Sequence, residues 1–129
     1  MEKEFIPYEQ ALALKELGFE SPYPIGGYQG GKVFYYEKGK LYYDGRPMYS
    51  SDAHSGQITA PLYQQAFRWF REKYNLNSFV IDSKSYNWYF NINNIIKDDV
   101  VSELLYFKTH EEAELECLKK LIEIVKQNN

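Results

Sequence analysis

Lys32-Val-Phe-Tyr-Tyr-Glu-Lys-Gly-Lys-Leu-Tyr-Tyr43 is the stretch on which the fold turns. Its two halves are dense in the β-branched and aromatic residues that suit a pleated, half-buried surface, and Lys38-Gly39 between them supplies a tight turn. The pattern predicts a hairpin of Lys32–Glu37 and Lys40–Tyr43. Alternation sets Val33, Tyr35 and Glu37 on one face and Phe34 and Tyr36 on the other. Aromatic rings therefore fall on both faces, so one set is expected in the core and the other at least partly available.

Upstream, Ser21-Pro-Tyr-Pro-Ile-Gly-Gly-Tyr-Gln-Gly-Gly31 breaks both regular helix and central strand. Before it, Pro7 to Gly18 reads as a short helix, with Pro7 in the first turn, Gly18 as a left-handed C-terminal cap, and Tyr8, Ala11, Leu14 and Leu17 on one face. Downstream, residues 44–58 are polar and turn-rich and read as a loop. A second helix is expected from Thr59 or Ala60, with Pro61 opening it, to about Tyr74. Its apolar stripe is Leu62, Ala66, Trp69 and Phe70, with Gln64, Gln65, Arg68, Arg71 and Glu72 opposite.

Two strands follow. Phe79 and Ile81 alternate in the first; Tyr86, Trp88, Phe90 and Ile92 alternate in the second, with Asn87, Tyr89 and Asn91 turned the other way. Asn93–Asp99 reads as a loop, and Leu104–Phe107 as a possible further strand. Thr109-His-Glu-Glu112 is a capping box opening a helix to about Lys126, with Ala113, Cys117, Leu121, Ile124 and Val125 inward. The expected fold is α+β: three helices packed on a small antiparallel sheet of four to five short strands, in the order α-β-β-α-β-β-(β)-α. No linker divides residues 1–129, which read as a single globular domain with a Gly/Pro-rich segment at 21–31 and a polar loop at 44–58. Leu14, Leu17, Ala66, Trp69, Phe70, Trp88, Phe90, Leu118, Leu121 and Ile122 form the expected core.

The chain's net charge of −3 and pI near 5.4 disfavour broad attraction to nucleic acid or anionic membrane. Residues 21–90 nonetheless carry eight Lys or Arg against five acids, a mildly basic, tyrosine-rich middle between acidic ends. The single cysteine, Cys117, excludes an intramolecular disulfide and fits a reducing compartment. Met1-Glu-Lys-Glu-Phe5 holds no apolar core of signal-peptide length and no run approaches a membrane span, so the cytosol is the expected location.

Candidate chemistry is sparse. Gly26-Gly-Tyr-Gln-Gly-Gly31-Lys32 follows the phosphate-loop pattern until Val33 stands where a Ser or Thr should reach magnesium, with strand instead of helix after it. A glycine hinge is the better reading. Asp52 with His54, and His110 with Glu114, are pairs where a metal site needs three or four converging ligands. Cys117 sits on an apolar helical stripe, as a small hydrophobe. No catalytic residue, cofactor site or metal site is assigned.

What stands out is aromatic surplus: of 129 residues, 13 are Tyr, 8 Phe and 2 Trp. Tyrosine combines a large apolar face with a polar tip, which suits contact surfaces as well as half-buried sheets. Tyr35, Tyr36, Tyr42, Tyr43 and Tyr89, with Arg68 and Arg71 on the second helix, are the candidate interaction residues, and Tyr36 and Tyr42 are the expected exposed pair of the hairpin. The bland reading of the arginines is a solvated helix face with an Arg68–Glu72 pair.

Three separated blocks carry a resemblance: Phe5-Ile-Pro-Tyr-Glu-Gln-Ala-Leu-Ala-Leu-Lys-Glu-Leu-Gly-Phe19, Ala60-Pro-Leu-Tyr-Gln-Gln-Ala-Phe-Arg-Trp-Phe-Arg-Glu-Lys-Tyr74 and Phe107-Lys-Thr-His-Glu-Glu-Ala-Glu-Leu-Glu-Cys-Leu-Lys-Lys-Leu-Ile-Glu-Ile-Val-Lys126. They resemble small proteins carried by phages and prophages of Bacteroides-type gut bacteria, a group without an assigned activity. The resemblance implies a mobile-element accessory protein and carries over no functional residue. The expected function is a non-enzymatic interaction module that contacts a host or phage protein through a tyrosine-rich surface. The alternative is a single-stranded nucleic-acid binder stacking bases on the hairpin tyrosines beside Lys32, Lys38, Lys40, Arg68 and Arg71.

Overall fold

The hairpin forms around a two-residue turn. In the computed structural model, which describes residues 4–19, 33–44, 57–84, 87–97, 99–100 and 105–128, strand β1 (Val33–Glu37) pairs antiparallel with β2 (Lys40–Asp44), and Glu37 faces Lys40 across the turn. Lys38 and Gly39 have φ of 52° and 80°, the pair of positive values that a type I′ turn requires to match strand twist. A third strand, β3 (Gln57–Thr59), pairs with the other edge of β1 and places Tyr36 opposite Ile58. The sheet order is β2-β1-β3.

Helix α1 (Tyr8–Glu16) begins one residue after Pro7, whose carbonyl accepts the first helical bond from the Ala11 N–H at 2.9 Å. It ends in a Schellman motif: Phe19 N–H donates to Leu14 O and Gly18 N–H to Lys15 O, with Gly18 at φ 92°. Ala11 and Leu14 are buried, and Leu17 is only half-buried. Helix α2 (Tyr63–Tyr74) starts later than Pro61 suggests. The Pro61 carbonyl accepts from the Ile6 N–H at 2.9 Å, and Phe5 and Leu62 form an antiparallel bridge, so this stretch is held extended. Gln65 then completes the helix start by accepting from the Leu62 N–H at 2.9 Å, the reverse leg of a capping box.

A left-handed Asn75, φ 58°, turns the chain from α2 into β4 (Leu76–Asp82). This strand pairs with β5 (Trp88–Asn94) along its whole length, and β6 (Asp99–Val100) adds to the far edge of β5. Helix α3 (His110–Gln127) packs on β4 and β5. Thr109 caps it, its Oγ1 accepting from the Glu112 N–H at 3.1 Å, as the capping box predicts.

The described residues are thus α+β with three helices, as expected. The described residues hold six strands in two three-stranded sheets, where four to five strands in one sheet were expected. The missing strands are β3 and β6, three and two residues long, too short and polar to express a period of two. Contacts divide the chain into two compact units, Met1–Gln65 and Ala66–Asn129, where the sequence reads as one domain. Phe5, Ile6, Ala11, Leu14, Phe19 and Tyr36 are buried in the first; Phe70, Leu76, Phe90, Ile92, Cys117, Leu118, Leu121 and Ile122 in the second. Trp69 and Trp88, expected in the core, are half-buried. Residues 21–31 and most of 44–58 lie outside the described residues.

Candidate contact surface

Each candidate tyrosine is placed by its strand register. Tyr36 is 8% exposed, its hydroxyl donates to the Ile6 carbonyl at 2.7 Å, and its ring meets Tyr8 edge-on at 5.7 Å. The expectation that Tyr36 is an exposed contact residue is corrected: a hydroxyl satisfied by a buried carbonyl makes it a core residue of the first unit. Tyr35 is half-buried and lies directly opposite Tyr42, while Tyr43 lies opposite Phe34. The side chains of Tyr42 and Tyr43 fall outside the described residues, as do Lys32, the Gly26–Gly31 run, Asp52 and His54.

On α2, Arg68 and Arg71 are exposed. Arg68 Nε donates to Glu72 Oε1 at 2.9 Å, the i, i+4 pair that the spacing predicts. The Lys73 ammonium lies 5.1 Å from the Trp69 ring centre and 5.7 Å from that of Tyr74. Two of the helix's cations are therefore engaged within the helix itself. The seven candidate residues are also distributed over both units: the four hairpin tyrosines in the first, Arg68, Arg71 and Tyr89 in the second.

Tyr89 belongs to a surface that sequence reading had not assembled. Residues directly opposite in an antiparallel pair share a face. Ile81 is opposite Tyr89, Phe79 opposite Asn91, Asn77 opposite Asn93, and Val100 opposite Asn93. A bridge between Trp88 and Phe107 extends the pairing, so that Tyr89 meets Tyr106 edge-on at 5.8 Å. The other face carries Leu76, Ser78, Val80, Phe90 and Ile92 toward α3. There Phe107 stacks on Phe90 at 6.0 Å, and Trp88 meets the His110 ring at 4.9 Å. Phe79, read as part of a strand's apolar alternation, accordingly points away from the α3 side and is 46% exposed.

Six large hydrophobics are exposed among the described residues: Phe79, Ile95, Ile96, Val100, Leu105 and Tyr106. All lie between positions 79 and 106, on the β4-β5-β6 sheet and its connections. Tyr106 is 53% exposed, Val100 66% and Ile96 75%. None of Asn77, Phe79, Ile81, Tyr89, Asn91, Asn93, Val100 and Tyr106 bears a charge. Charges stand off this face instead: Asp82, opposite Trp88, is in phase with the α3 side, and Lys84 and Lys97 follow the ends of β4 and β5, all three exposed. Sequence reading missed Phe79 and Tyr106 because β4 is apolar at both phases, Leu76 and Val80 in one and Phe79 and Ile81 in the other. The register with β5 decides which phase faces α3.

The two described titratable groups of the second unit with a shifted pKa, Glu114 and Cys117, are both on α3. His110 Nδ1 lies 3.4 Å from Glu114 Oε1. Burial holds the Glu114 carboxyl above its ordinary range, against the pull of His110 and with that of Glu111. Cys117 is fully buried, and burial pushes its thiol up to about 12. The Ser78 hydroxyl has no hydrogen bond of proper geometry, yet lies near enough the thiol to draw it downward. Among the described residues no three His, Cys, Asp or Glu side chains converge, and no helix is long and apolar enough to cross a membrane. No protein-family model, curated protein or solved structure matches the chain.

Proposed function

We propose that this chain is a non-enzymatic contact module, a phage- or prophage-borne accessory protein that meets another protein in the bacterial cytosol. The observation that carries the reading is that the strand register sets Phe79, Val100 and Tyr106, three of the six exposed large hydrophobics among the described residues, on one sheet face, with Ile95, Ile96 and Leu105 in the sheet's connections. Monomeric soluble proteins rarely leave contiguous apolar surface of that kind uncovered. A charge-depleted aromatic centre with charges at its border is also the composition of protein interfaces. The weight of the contact thus moves from the hairpin to Tyr89, with Tyr106 and Phe79 beside it, while Tyr35, Tyr42 and Tyr43 remain candidates. Cys117, the one thiol, is inaccessible and held as the thiol, which supports a non-catalytic role for it.

The nucleic-acid alternative needs cations beside exposed rings, and among the described residues the exposed rings of the second sheet share their face with none. The test is affinity purification of the tagged chain and of a Phe79→Asp, Tyr106→Asp variant from the host, with mass spectrometry. A protein retained by the wild type and lost by the variant is the expected result. Equal recovery by both removes the sheet face from the reading. Fluorescence anisotropy with labelled single-stranded DNA and RNA at low salt should give no change at tens of micromolar protein, and saturable binding there would transfer the function to nucleic acid.

A further inference from the structure

We infer that the open edge of β4 takes up an extended peptide segment of another protein as a further strand, uncharged except for a basic residue opposite Asp82. The inference rests on the contact-module reading and names the chemistry of the partner. In an antiparallel pair alternate residues direct their main-chain groups to the neighbouring strand, and those between them turn theirs to the other side. The Ser83 N–H donates to the Asn87 carbonyl at 3.1 Å and the Ile95 N–H to the Asn75 carbonyl at 2.9 Å, so the odd-numbered residues of β4 bond to β5. Trp88, opposite Asp82, instead exchanges both its main-chain bonds with Phe107, at 2.7 Å each. Leu76, Ser78, Val80 and Asp82 therefore aim their N–H and C=O groups away from β5, and among the described residues no strand pairs with them. Donors and acceptors repeating at every second residue are matched by an extended main chain.

Sheet edges are commonly blunted by shortness, charge, proline or a bulge. The other described outer strands show it: β3 and β6 have three and two residues, and β2 carries Lys40 and Asp44 at its ends. β4 has seven residues, pairs with β5 at every position without a bulge, and holds no proline and a single charge. That charge, Asp82, is exposed; one carboxylate oxygen accepts the Lys84 main-chain N–H at 3.0 Å, and no cation pairs with it among the described residues. Residues directly opposite on paired strands share a face, where opposite charges attract. An antiparallel segment thus fits with Lys or Arg first, set against Asp82, and uncharged residues after it. Phe79, 46% exposed, gives its alternate side chains an apolar neighbour. A second copy lacks the basic residue: antiparallel registers of β4 on β4 that pair at least three of the four outward residues set each Asp82 opposite Leu76, Ser78 or Tyr74, never a cation.

The probe is the peptide Lys-Val-Thr-Val-Thr-Val-Thr, capped at both ends, titrated into the full chain to about 1 mM and followed by amide NMR shifts. Saturable shifts should centre on the amides of Ser78, Val80 and Asp82. A copy N-methylated at its two inner threonines, whose N–H groups face β4 in this register, should bind about tenfold more weakly. A copy headed by Glu in place of Lys should bind several-fold more weakly. Val80→Pro removes an outward N–H and leaves the β5 ladder whole, so it should abolish the shifts with unchanged circular dichroism; if it misfolds, the methylated peptide, which leaves the chain untouched, makes the same test. No saturable shift overturns the inference, and so does equal binding by the methylated or the Glu-headed copy. Shifts at those amides that grow with the chain's own concentration, before peptide is added, would make a second copy the occupant and overturn it too. Each of these failures leaves the contact reading to its own test, capture of a host protein lost by the Phe79→Asp, Tyr106→Asp variant.

Discussion

A tyrosine ring can belong to a core or to a surface, and its hydroxyl decides which, because a buried hydroxyl must find an acceptor. Tyr36 finds the carbonyl of Ile6, thirty positions away, at 2.7 Å. Tyr36→Phe should then leave that buried carbonyl short of a donor and cost about 1–3 kcal/mol, read as a lowered urea midpoint with unchanged slope; an unaltered midpoint would return Tyr36 to the surface. Nothing in the sequence could assign this partner, since the bond joins the chain's beginning to its hairpin. Cys117 was legible, because its helical spacing puts it between Ala113 and Leu121. Its thiol, raised to about 12 when folded, titrates at about 8.5 when unfolded. Between those values the unfolded chain has lost a proton that the folded chain keeps, so stability falls as pH rises through that window. Cys117→Ala should flatten the slope of stability against pH there relative to wild type, and an unchanged slope would mean the thiol ionises as easily in the fold as out of it.

Elements were legible where their ends are chemically marked. Thr109 at the start of α3, Gly18 after α1 and Lys38-Gly39 in the hairpin each satisfy a backbone requirement by residue type, and the structure places all three where the sequence does. The start of α2 was misplaced because its determinant is tertiary: Ile6 takes the Pro61 carbonyl, and Gln65 supplies the cap in its place. The outward phase of β4 was hidden for a related reason, since only pairing with β5 tells Phe79 from Val80. The hairpin turn allows a clean test. A Cβ built on Gly39 meets nothing within 4 Å, so space costs nothing and only its φ of 80° matters. Gly39→Ala should destabilise by about 1–2 kcal/mol, the penalty for a left-handed L-residue, measured by thermal or urea unfolding. No loss would mean the turn is not type I′ in solution.

At the scale of the molecule, the two compact units meet inside a helix. The boundary falls between Gln65 and Ala66, yet α2 runs unbroken from Tyr63 to Tyr74. Tyr63, in the first unit, and Ala66 and Phe70, in the second, are all buried. Helix formation is cooperative, so one unit cannot melt to its boundary without breaking the first turn of a helix whose remainder belongs to the other. The chain should therefore unfold in one transition. Leu14 and Leu121 are both fully buried, one in each unit, and replacing either with alanine should cost about 2–5 kcal/mol, a large share of the about 5–15 kcal/mol typical of a domain. If the units share one cooperative transition, Leu14→Ala and Leu121→Ala lower the same melting temperature, followed equally by tyrosine and tryptophan signals. Trp69 and Trp88 both belong to the second unit, whereas nine of the 13 tyrosines belong to the first, so the tryptophan signal reports the second unit and the tyrosine signal is weighted toward the first. Two transitions, each moved by only one of the substitutions, would mean that the chain is two domains joined through α2.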